Sequence, residues 1–254
     1  MCYHISQRQE RLEKIMDSFD VEAEFENELL PVYHHLNGFD HGQVMIITQE
    51  DPELLQLGTW GLVPPSEELD IPVGEQDYQD SFLPYEGDFN SYWKKVGGGS
   101  LNTKDLKFFV PEGKKERHPN WKNRAILNNK CLIIVDGLYE PHHLEDSKIR
   151  PIPHYFEQEN SEPFALWGIY THHDGVYTCS VLTTKANEHF ERIHNKAKRM
   201  PFCIDPMDKG YYLNKLNSEH DIRVEFIEFN SIELKDIPVS RDVTNSHVKS
   251  NRED

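Results

Sequence analysis

The second residue of this chain is a cysteine, and a cysteine at a chain terminus offers two nucleophiles at once. Removal of Met1 would leave Cys2 with an α-amine and a thiol on neighbouring carbons. Their usual pKa values, roughly 8 and 8.5, leave both groups partly nucleophilic near neutral pH. The pair could condense with an aldehyde to a thiazolidine, or the thiol could attack an amide, as in N-terminal-nucleophile hydrolases. The alternative is a cysteine that follows methionine and has no chemical role.

A second candidate group lies directly after the apolar run CLIIVD at 131–136, which reads as a buried strand. The segment DGLYE at 136–140 ends in Glu140. A carboxylate at the end of a buried strand can be held with a raised pKa and can then act as acid or base. Taken without further context, the segment favours the alternative, a turn with a solvated glutamate.

Histidine supplies the third candidate, because His194 follows a helical segment and an imidazole can move protons at neutral pH. The chain has 14 histidines, so one position alone is weak evidence. Three adjacent pairs resemble metal ligands, but neighbouring residues on a strand point to opposite faces, and no cysteine or carboxylate spacing matches them. We therefore predict no metal site at these pairs: His34-His35, His142-His143 and His172-His173.

The other three cysteines are predicted to be core residues. Cys131 and Cys179 lie inside apolar, strand-like runs, and Cys203 follows Pro201-Phe202. With Cys2 they form no Cys-x-x-Cys pair, which argues against a zinc ribbon and against a disulfide framework.

Composition sets limits on partners and location. The chain has 254 residues and a net charge of −17, from 27 basic and 44 acidic residues. This charge disfavours non-specific adhesion to nucleic acid, although it leaves room for a local basic cleft. No run of 18 apolar residues occurs, and the N-terminus lacks the apolar region of a secretory signal. We expect a cytoplasmic protein with no membrane association.

The elements that must position these residues follow from hydrophobic spacing. In the first half, residues 6–19 predict an amphipathic helix and 43–48 a strand. Thr48 with Asp51 and Pro52 predicts the start of a second helix over the sequence ELLQL. Residues 65–100 are rich in Pro, Gly and acidic side chains, and they predict a long surface insertion.

The second half is richer in strands. Residues 165–172 and 176–184 flank a His-Asp-Gly turn and predict a hairpin. Helical patterning predicts helices at 185–194 and 206–216, and alternation at 222–229 predicts a strand. We predict one α+β domain with a β-rich, barrel-like core flanked by helices, spanning residues 1–240, followed by a polar tail at 241–254.

Six segments, in order along nearly the whole chain, together resemble the SOS-response-associated peptidase family, which handles abasic sites in single-stranded DNA. Each segment is weak by itself, but six in the right order are specific. The resemblance implies the fold predicted above. The segments are Met1-Cys2, TWGLVP at 59–64, LNTKD at 101–105, CLIIVDGLYE at 131–140, His194 with Arg199-Met200-Pro201, and Val239-Ser240 with Val243.

The resemblance also implies a role for each matching residue. Cys2 is the expected nucleophile that forms a thiazolidine with the aldehyde of a ring-opened deoxyribose. Asn102 is expected to hold the terminal amine or the sugar. Glu140 is expected to shuttle protons during Met1 removal and Schiff-base formation. His194 is expected to protonate the sugar oxygen and to assist strand scission or reversal. This chemistry requires no metal and no organic cofactor.

The family's phosphate-binding positions are altered in this chain. His4 stands where the family has arginine, and Lys104 stands where it has a second arginine, which keeps the charge but not the bidentate geometry. Three residues, 196–198, are inserted before Arg199. We expect contacts to DNA from His4 and from a small basic rim, which consists of Lys104, Lys196, Lys198 and Arg199.

Three hypotheses remain open at this point. The first is a monomeric protein that binds single-stranded DNA, removes its own Met1 and cross-links to abasic sites, with lyase activity as a further capability. The second is a peptidase or amidohydrolase that uses the same Cys2. The third, suggested by the acidic composition, is a non-catalytic interaction module on the same fold.

Overall fold

Strands dominate the part of the chain that the computed structural model describes, which comprises residues 2–63, 100–105, 121–146, 148–173 and 176–244. The strands are β1 (His4–Gln7), β2 (Glu22–Ala23), β3 (Tyr33–Asn37), β4 (Gln43–Thr48), β5 (Leu54–Trp60), β6 (Asn102–Lys104), β7 (Lys130–Val135), β8 (Gly137–His142), β9 (Ile152–Glu157), β10 (Phe164–His173), β11 (Val176–Lys185), β12 (Arg199–Pro201), β13 (Cys203–Ile204) and β14 (Lys235–Pro238). The α-helices are α1 (Leu12–Phe19), α2 (Trp121–Asn128), α3 (Glu188–Ile193) and α4 (Glu219–Glu228).

Five of these strands close into a barrel. The order is β5-β4-β7-β10-β11, and β11 returns to pair with β5. Every junction is antiparallel except the last, where β11 and β5 run parallel in the register Tyr177 with Gly58 and Cys179 with Trp60. A ring with an odd number of strands needs one parallel junction, and closure removes the exposed edges of the sheet. The predicted α+β fold with a barrel-like core is confirmed.

A second sheet carries the residues nearest the N-terminus. Its order is β14-β9-β8-β1-β3, with antiparallel neighbours throughout. β7 of the barrel continues into β8 through Asp136, whose carboxylate accepts hydrogen bonds from the backbone N–H groups of Arg8 and Gln9. This carboxylate therefore fixes the end of β1 to the β7–β8 junction.

Several predicted elements are confirmed. The strand at 43–48 coincides with β4, and the run at 131–136 overlaps β7, all of which is buried. The predicted hairpin is β10 with β11, and the helix within 185–194 is α3. The segment 206–216 is helical, but as a 3-10 turn at Pro206–Asp208 and a π-helical turn at Tyr211–Lys215.

The first predicted helix begins later than expected. Residues 4–7 form β1 between β3 and β8, and α1 begins only at Leu12. The prediction was wrong at its start because Ser6 and Gln7 are polar yet buried by strand pairing across the chain. The spacing that suggested a helix belongs to Leu12, Ile15 and Phe19, which are all buried in α1.

The helix predicted after Thr48 does not form. Thr48 Oγ1 accepts a hydrogen bond from the backbone N–H of Asp51 at 3.1 Å, which is the contact expected of a helix cap. Here it closes a tight turn instead, and the chain returns as β5 antiparallel to β4. The long-range pairing of β5 with β4 and β11 outweighs the local signal.

The strand predicted at 222–229 is the helix α4. Ser218 caps it by accepting a hydrogen bond from the N–H of Asp221, and Arg223 forms a 2.6 Å ion pair with Glu219 one turn earlier. Ile222 is fully buried, while Val224 and Ile227 are exposed. The buried face thus follows helical rather than alternating spacing.

Two predicted segments lie wholly or mostly outside the described residues: the insertion at 65–100, apart from residue 100, and most of the tail at 241–254. Within the described ranges, none of the helices has the length and apolar character needed to cross a membrane.

Lys130 is a fully buried cation at the junction of α2 and β7. Its Nζ donates a hydrogen bond to the carbonyl of Leu127 at 2.8 Å, and burial lowers its pKa to about 8. In the unfolded chain this lysine has the usual pKa of about 10.4, so between pH 8 and 10.4 the unfolded chain binds more protons than the native state. The free energy of unfolding should therefore rise with pH over this range.

We expect the free energy of unfolding of the wild type to gain on the order of 2–3 kcal/mol from this group between pH 7.5 and 10.5. The variant Lys130→Met should lack that gain. Urea unfolding of both proteins across this range measures it. Parallel pH profiles for the two proteins would contradict the assignment.

Candidate functional site

Cys2 is held in the core although its sequence neighbours are polar. It is 0% exposed, and its Sγ lies 4.0 Å from the carbonyl oxygen of His4. Burial, and then the nearby Glu140, raise the pKa of the thiol well above its usual value. The site therefore favours the neutral thiol while Glu140 carries a negative charge.

Asn102 fastens the N-terminal residues to the barrel. β6, on which it lies, pairs parallel with β11, with Asn102 opposite Val181. Its Nδ2 donates a 2.7 Å hydrogen bond to the carbonyl oxygen of Cys2. The preceding carbonyl, of Leu101, accepts a 3.0 Å bond from the indole N–H of the buried Trp60. These bonds bring Asn102 to Cys2 across a hundred positions of sequence.

Glu140 projects from β8 into the interior, so the interpretation of DGLYE as a turn with a solvated glutamate is wrong. The residue is 1% exposed, and burial raises the pKa of its carboxyl to about 7. Gly137, at the start of the same strand, is required by a close approach: a Cβ there would collide with the Tyr155 side chain and the Phe156 carbonyl. The glycine therefore lets β8 pack against β9.

His194 stands at the end of α3, with its ring 3% exposed. Its Nδ1 lies 2.7 Å from the carbonyl oxygen of Arg199 and 3.3 Å from Oε2 of Glu140. A carbonyl can only accept, so we assign the ring proton to Nδ1, which leaves the lone pair on Nε2. Burial lowers the pKa of His194 to about 4.

The structure thus brings all four candidate catalytic residues together. The Cys2 carbonyl is hydrogen-bonded to Asn102, and Cys2 interacts electrostatically with Glu140. Glu140 in turn lies 3.3 Å from His194. Between pH 4 and 7 the Glu140–His194 pair is neutral rather than ionic. A carboxyl group with a pKa near neutrality can both give and take a proton, which suits reactions that move protons to and from one nucleophile.

The five candidate DNA-contacting residues are less uniform. His4 is turned inward: its Nδ1 lies 2.9 Å from Nε2 of His35, and the two rings stack. Burial, and then His35, lower the pKa of His4 to about 4, so it is neutral at pH 7. Neither feature suits a phosphate contact.

The residues of the basic rim differ in their exposure to solvent and in whether they pair with an acidic side chain. Lys196 is exposed, and Lys104 is half-buried at the end of β6. Lys198 forms a 2.6 Å ion pair with Glu191, and Arg199 forms a 2.8 Å ion pair with Asp105. The Arg199 side chain is only 11% exposed, so its guanidinium mainly links β12 to Asp105, the residue after β6.

Sequence reasoning missed His35, Asp105 and Asn195, each of which touches a predicted site residue or its neighbour. Asp105 lies in the LNTKD segment and His35 in a histidine pair, but their local sequence does not predict these contacts, because each contact joins separate segments. In the part of the chain that is described, no three His, Cys, Asp or Glu side chains come together in a way that could hold a metal ion. In the pair His34-His35 the first side chain is exposed and the second buried.

Solved structures show the same fold. A protein from Bacteroides thetaiotaomicron superposes with a TM-score of 0.70 at 20% identity, covering 95% of this chain and 93% of that one. A protein from Bordetella bronchiseptica gives a TM-score of 0.63 at 17% identity, covering 94% of this chain and all of the other. At these identities the likeness is one of fold.

The family is defined by a sequence model. The model of the SOS response associated peptidase (SRAP) family matches residues 112–246, more than half of the chain. This chain belongs to that family. Glu140 and His194 lie inside the matched range, whereas Cys2 and Asn102 precede it.

Particular relatives carry a functional name. "Abasic site processing protein YoqW" of Bacillus subtilis (strain 168) is 32% identical over 103 residues, which are 39% of this chain and 44% of that protein. "Abasic site processing protein YoaM" of the same organism is 34% identical over 103 residues, 39% of this chain and 43% of its own length. The chain thus spans less than half the length of these relatives.

The raised pKa of Glu140 has a consequence for stability. The native state keeps this proton up to about pH 7, and the unfolded chain loses it near pH 4.3. The native state therefore binds more protons in between, and the stability from this group, fully present below pH 4, is lost as pH rises to 7.

Glu140→Gln, which resembles the protonated carboxyl, should match the wild type at pH 4 and exceed its free energy of unfolding by about 2–3 kcal/mol at pH 8. Chemical denaturation at both pH values measures the difference. The exposed Glu13→Gln serves as control and should show no such divergence. Equal behaviour of the two variants would show that Glu140 is not buried as described.

Proposed function

We propose that this chain recognises abasic sites in single-stranded DNA and links to them covalently through Cys2 once Met1 has been removed. The observation that carries the proposal is the cluster in which Asn102 is hydrogen-bonded to Cys2, and Glu140 interacts electrostatically with Cys2 and lies 3.3 Å from His194. Membership of the family and the names of the abasic site processing relatives support the choice of substrate.

The chemistry has two stages. In the first, water hydrolyses the Met1–Cys2 amide, which releases methionine and frees the α-amine of Cys2. In the second, that amine attacks the C1′ aldehyde of the ring-opened deoxyribose, and the adduct loses water to give an imine. The thiol then adds to the imine carbon, its proton passes to the nitrogen, and a thiazolidine results.

The described residues have properties suited to these steps. Glu140, with a carboxyl pKa of about 7, takes a proton from the attacking water or amine and returns it to the leaving group. Asn102 holds the Cys2 carbonyl and so fixes the position of this residue. This orients the Met1–Cys2 amide for hydrolysis and, after Met1 is lost, the Cys2 amine for attack. His194, when protonated, is a strong acid because burial disfavours its charge, so it passes its proton readily to the sugar oxygen.

Binding to DNA relies on few cations in this acidic chain. Lys196 and Lys198 are exposed, and Lys104 is half-buried on β6. Because few phosphate contacts are available, we expect the non-covalent affinity for DNA to fall only weakly with added salt. Stable association should then depend mainly on the covalent step.

The test is denaturing gel electrophoresis of the protein with a labelled single-stranded oligonucleotide that carries one abasic site. The wild type should give a heat-stable shifted band, absent with undamaged DNA. Cys2→Ala should give none. Cys179→Ala, which removes another fully buried free thiol, is the matched control and should retain the band.

Mass spectrometry of the same samples separates the alternatives. A band that persists in Cys2→Ala would overturn the proposal. No band from protein that has lost Met1 would also overturn it and would direct attention to peptide turnover in trans. An intact Met1 together with no band would support a non-catalytic module.

A further inference from the structure

Asn195, the residue after His194, makes a contact that no part of the proposed chemistry uses. Its Oδ1 accepts a hydrogen bond from the backbone N–H of His143 at 3.1 Å, and its Nδ2 donates to the carbonyl oxygen of His143 at 2.8 Å. One side chain thus satisfies both polar groups of one peptide residue, as a neighbouring strand would.

The two bonds join the segments that carry Glu140 and His194. Glu140 lies on β8 three residues before His143, and His194 directly precedes Asn195 at the end of α3. The 3.3 Å approach of His194 Nδ1 to Glu140 Oε2 spans the same two segments. The Asn195 amide therefore lies next to the Glu140–His194 contact and keeps the two segments that carry these residues at a fixed distance.

The turn that directly follows Asn195 bears on the same spacing. Residues 196–198 fold back on themselves: the N–H of Lys198 bonds to the His194 carbonyl at 2.9 Å, and Lys198 adopts a left-handed backbone with φ of 50°. Left-handed geometry is unfavourable for a lysine, so the turn is a strained connection. The side-chain bonds of Asn195 to His143, the residue after β8, keep that strain from displacing His194.

We propose that Asn195 is a positioning residue that fixes the spacing of Glu140 and His194 through its two hydrogen bonds to the His143 backbone. The inference rests on the proposed function for its catalytic consequence, but its structural part stands apart from that function. Without the amide, β8 and the end of α3 can separate, water can enter, and the buried carboxyl is solvated.

The experiment compares wild type, Asn195→Ala and the control Ala197→Ser, which alters an exposed residue of the same turn and removes none of these bonds. Two quantities are measured against pH: the single-turnover rate of cross-linking to an abasic-site oligonucleotide, and the titration of Glu140 followed by carboxyl-selective ¹³C NMR. Asn195→Ala should lower the rate about 10- to 100-fold, because small misplacements of reacting groups have effects of that size.

In Asn195→Ala the Glu140 titration midpoint should also move down from about 7 towards the usual value of a solvated glutamate. Ala197→Ser should match the wild type in both. A residue that only stabilised the fold would lower the melting temperature and leave the midpoint unchanged. If Asn195→Ala does not fold, Asn195→Ser, which is neutral and too short to make both bonds to His143, should shift both quantities in the same direction.

Folded Asn195→Ala with a wild-type rate and midpoint overturns the inference. If the wild type forms no cross-link, the proposed function fails, and the NMR midpoint alone then decides whether Asn195 positions the pair. An unchanged midpoint in that case overturns the inference as well.

Discussion

The pairing of β11 with its neighbours is the constraint on which the rest of the structure depends. Its first residues run parallel to β5 and close the barrel. Its middle residues run parallel to β6 and place Asn102, and its last residues pair with β12 and place Arg199. One strand thus sets the register of the barrel seam and of two segments that border the candidate site. A shift of this strand by one residue would turn every one of its side chains to the opposite face.

The second determinant is the exclusion of water around the N-terminal strand. Cys2, Glu140 and His194 are all nearly or completely buried, and burial moves the pKa of each towards its neutral form. Between pH 4 and 7 this acid, base and thiol are mainly uncharged, so they can lie close together without a counter-ion. Each then gains charge only when a proton is transferred, so the site stores no ionic pair that a reaction would have to break.

Local sequence was sufficient where an element is defined by its own residues. The Asp-Gly turn predicts the β10–β11 hairpin, and the apolar run 131–136 predicts β7. Local sequence failed where pairing with distant segments determines the secondary structure. HISQ at 4–7 is polar yet forms a strand within the second sheet. ELLQL pairs as β5 although a helix-cap signal precedes it. The site shows the same division. Motifs identified its four residues, but the Asn102–Cys2 bond and the clamp at His143 join segments that no local pattern connects.

The turn at residues 196–198 has a consequence for the engineering of this protein. Its end is held from two sides, because the N–H of Lys198 bonds to the His194 carbonyl and the Lys198 carbonyl accepts a bond from the N–H of Ala186. The Lys198 side chain is also paired with Glu191. Ala197 is exposed at the tip of this held turn, so it is an attachment point for a fluorophore or tether that would report on the neighbouring site.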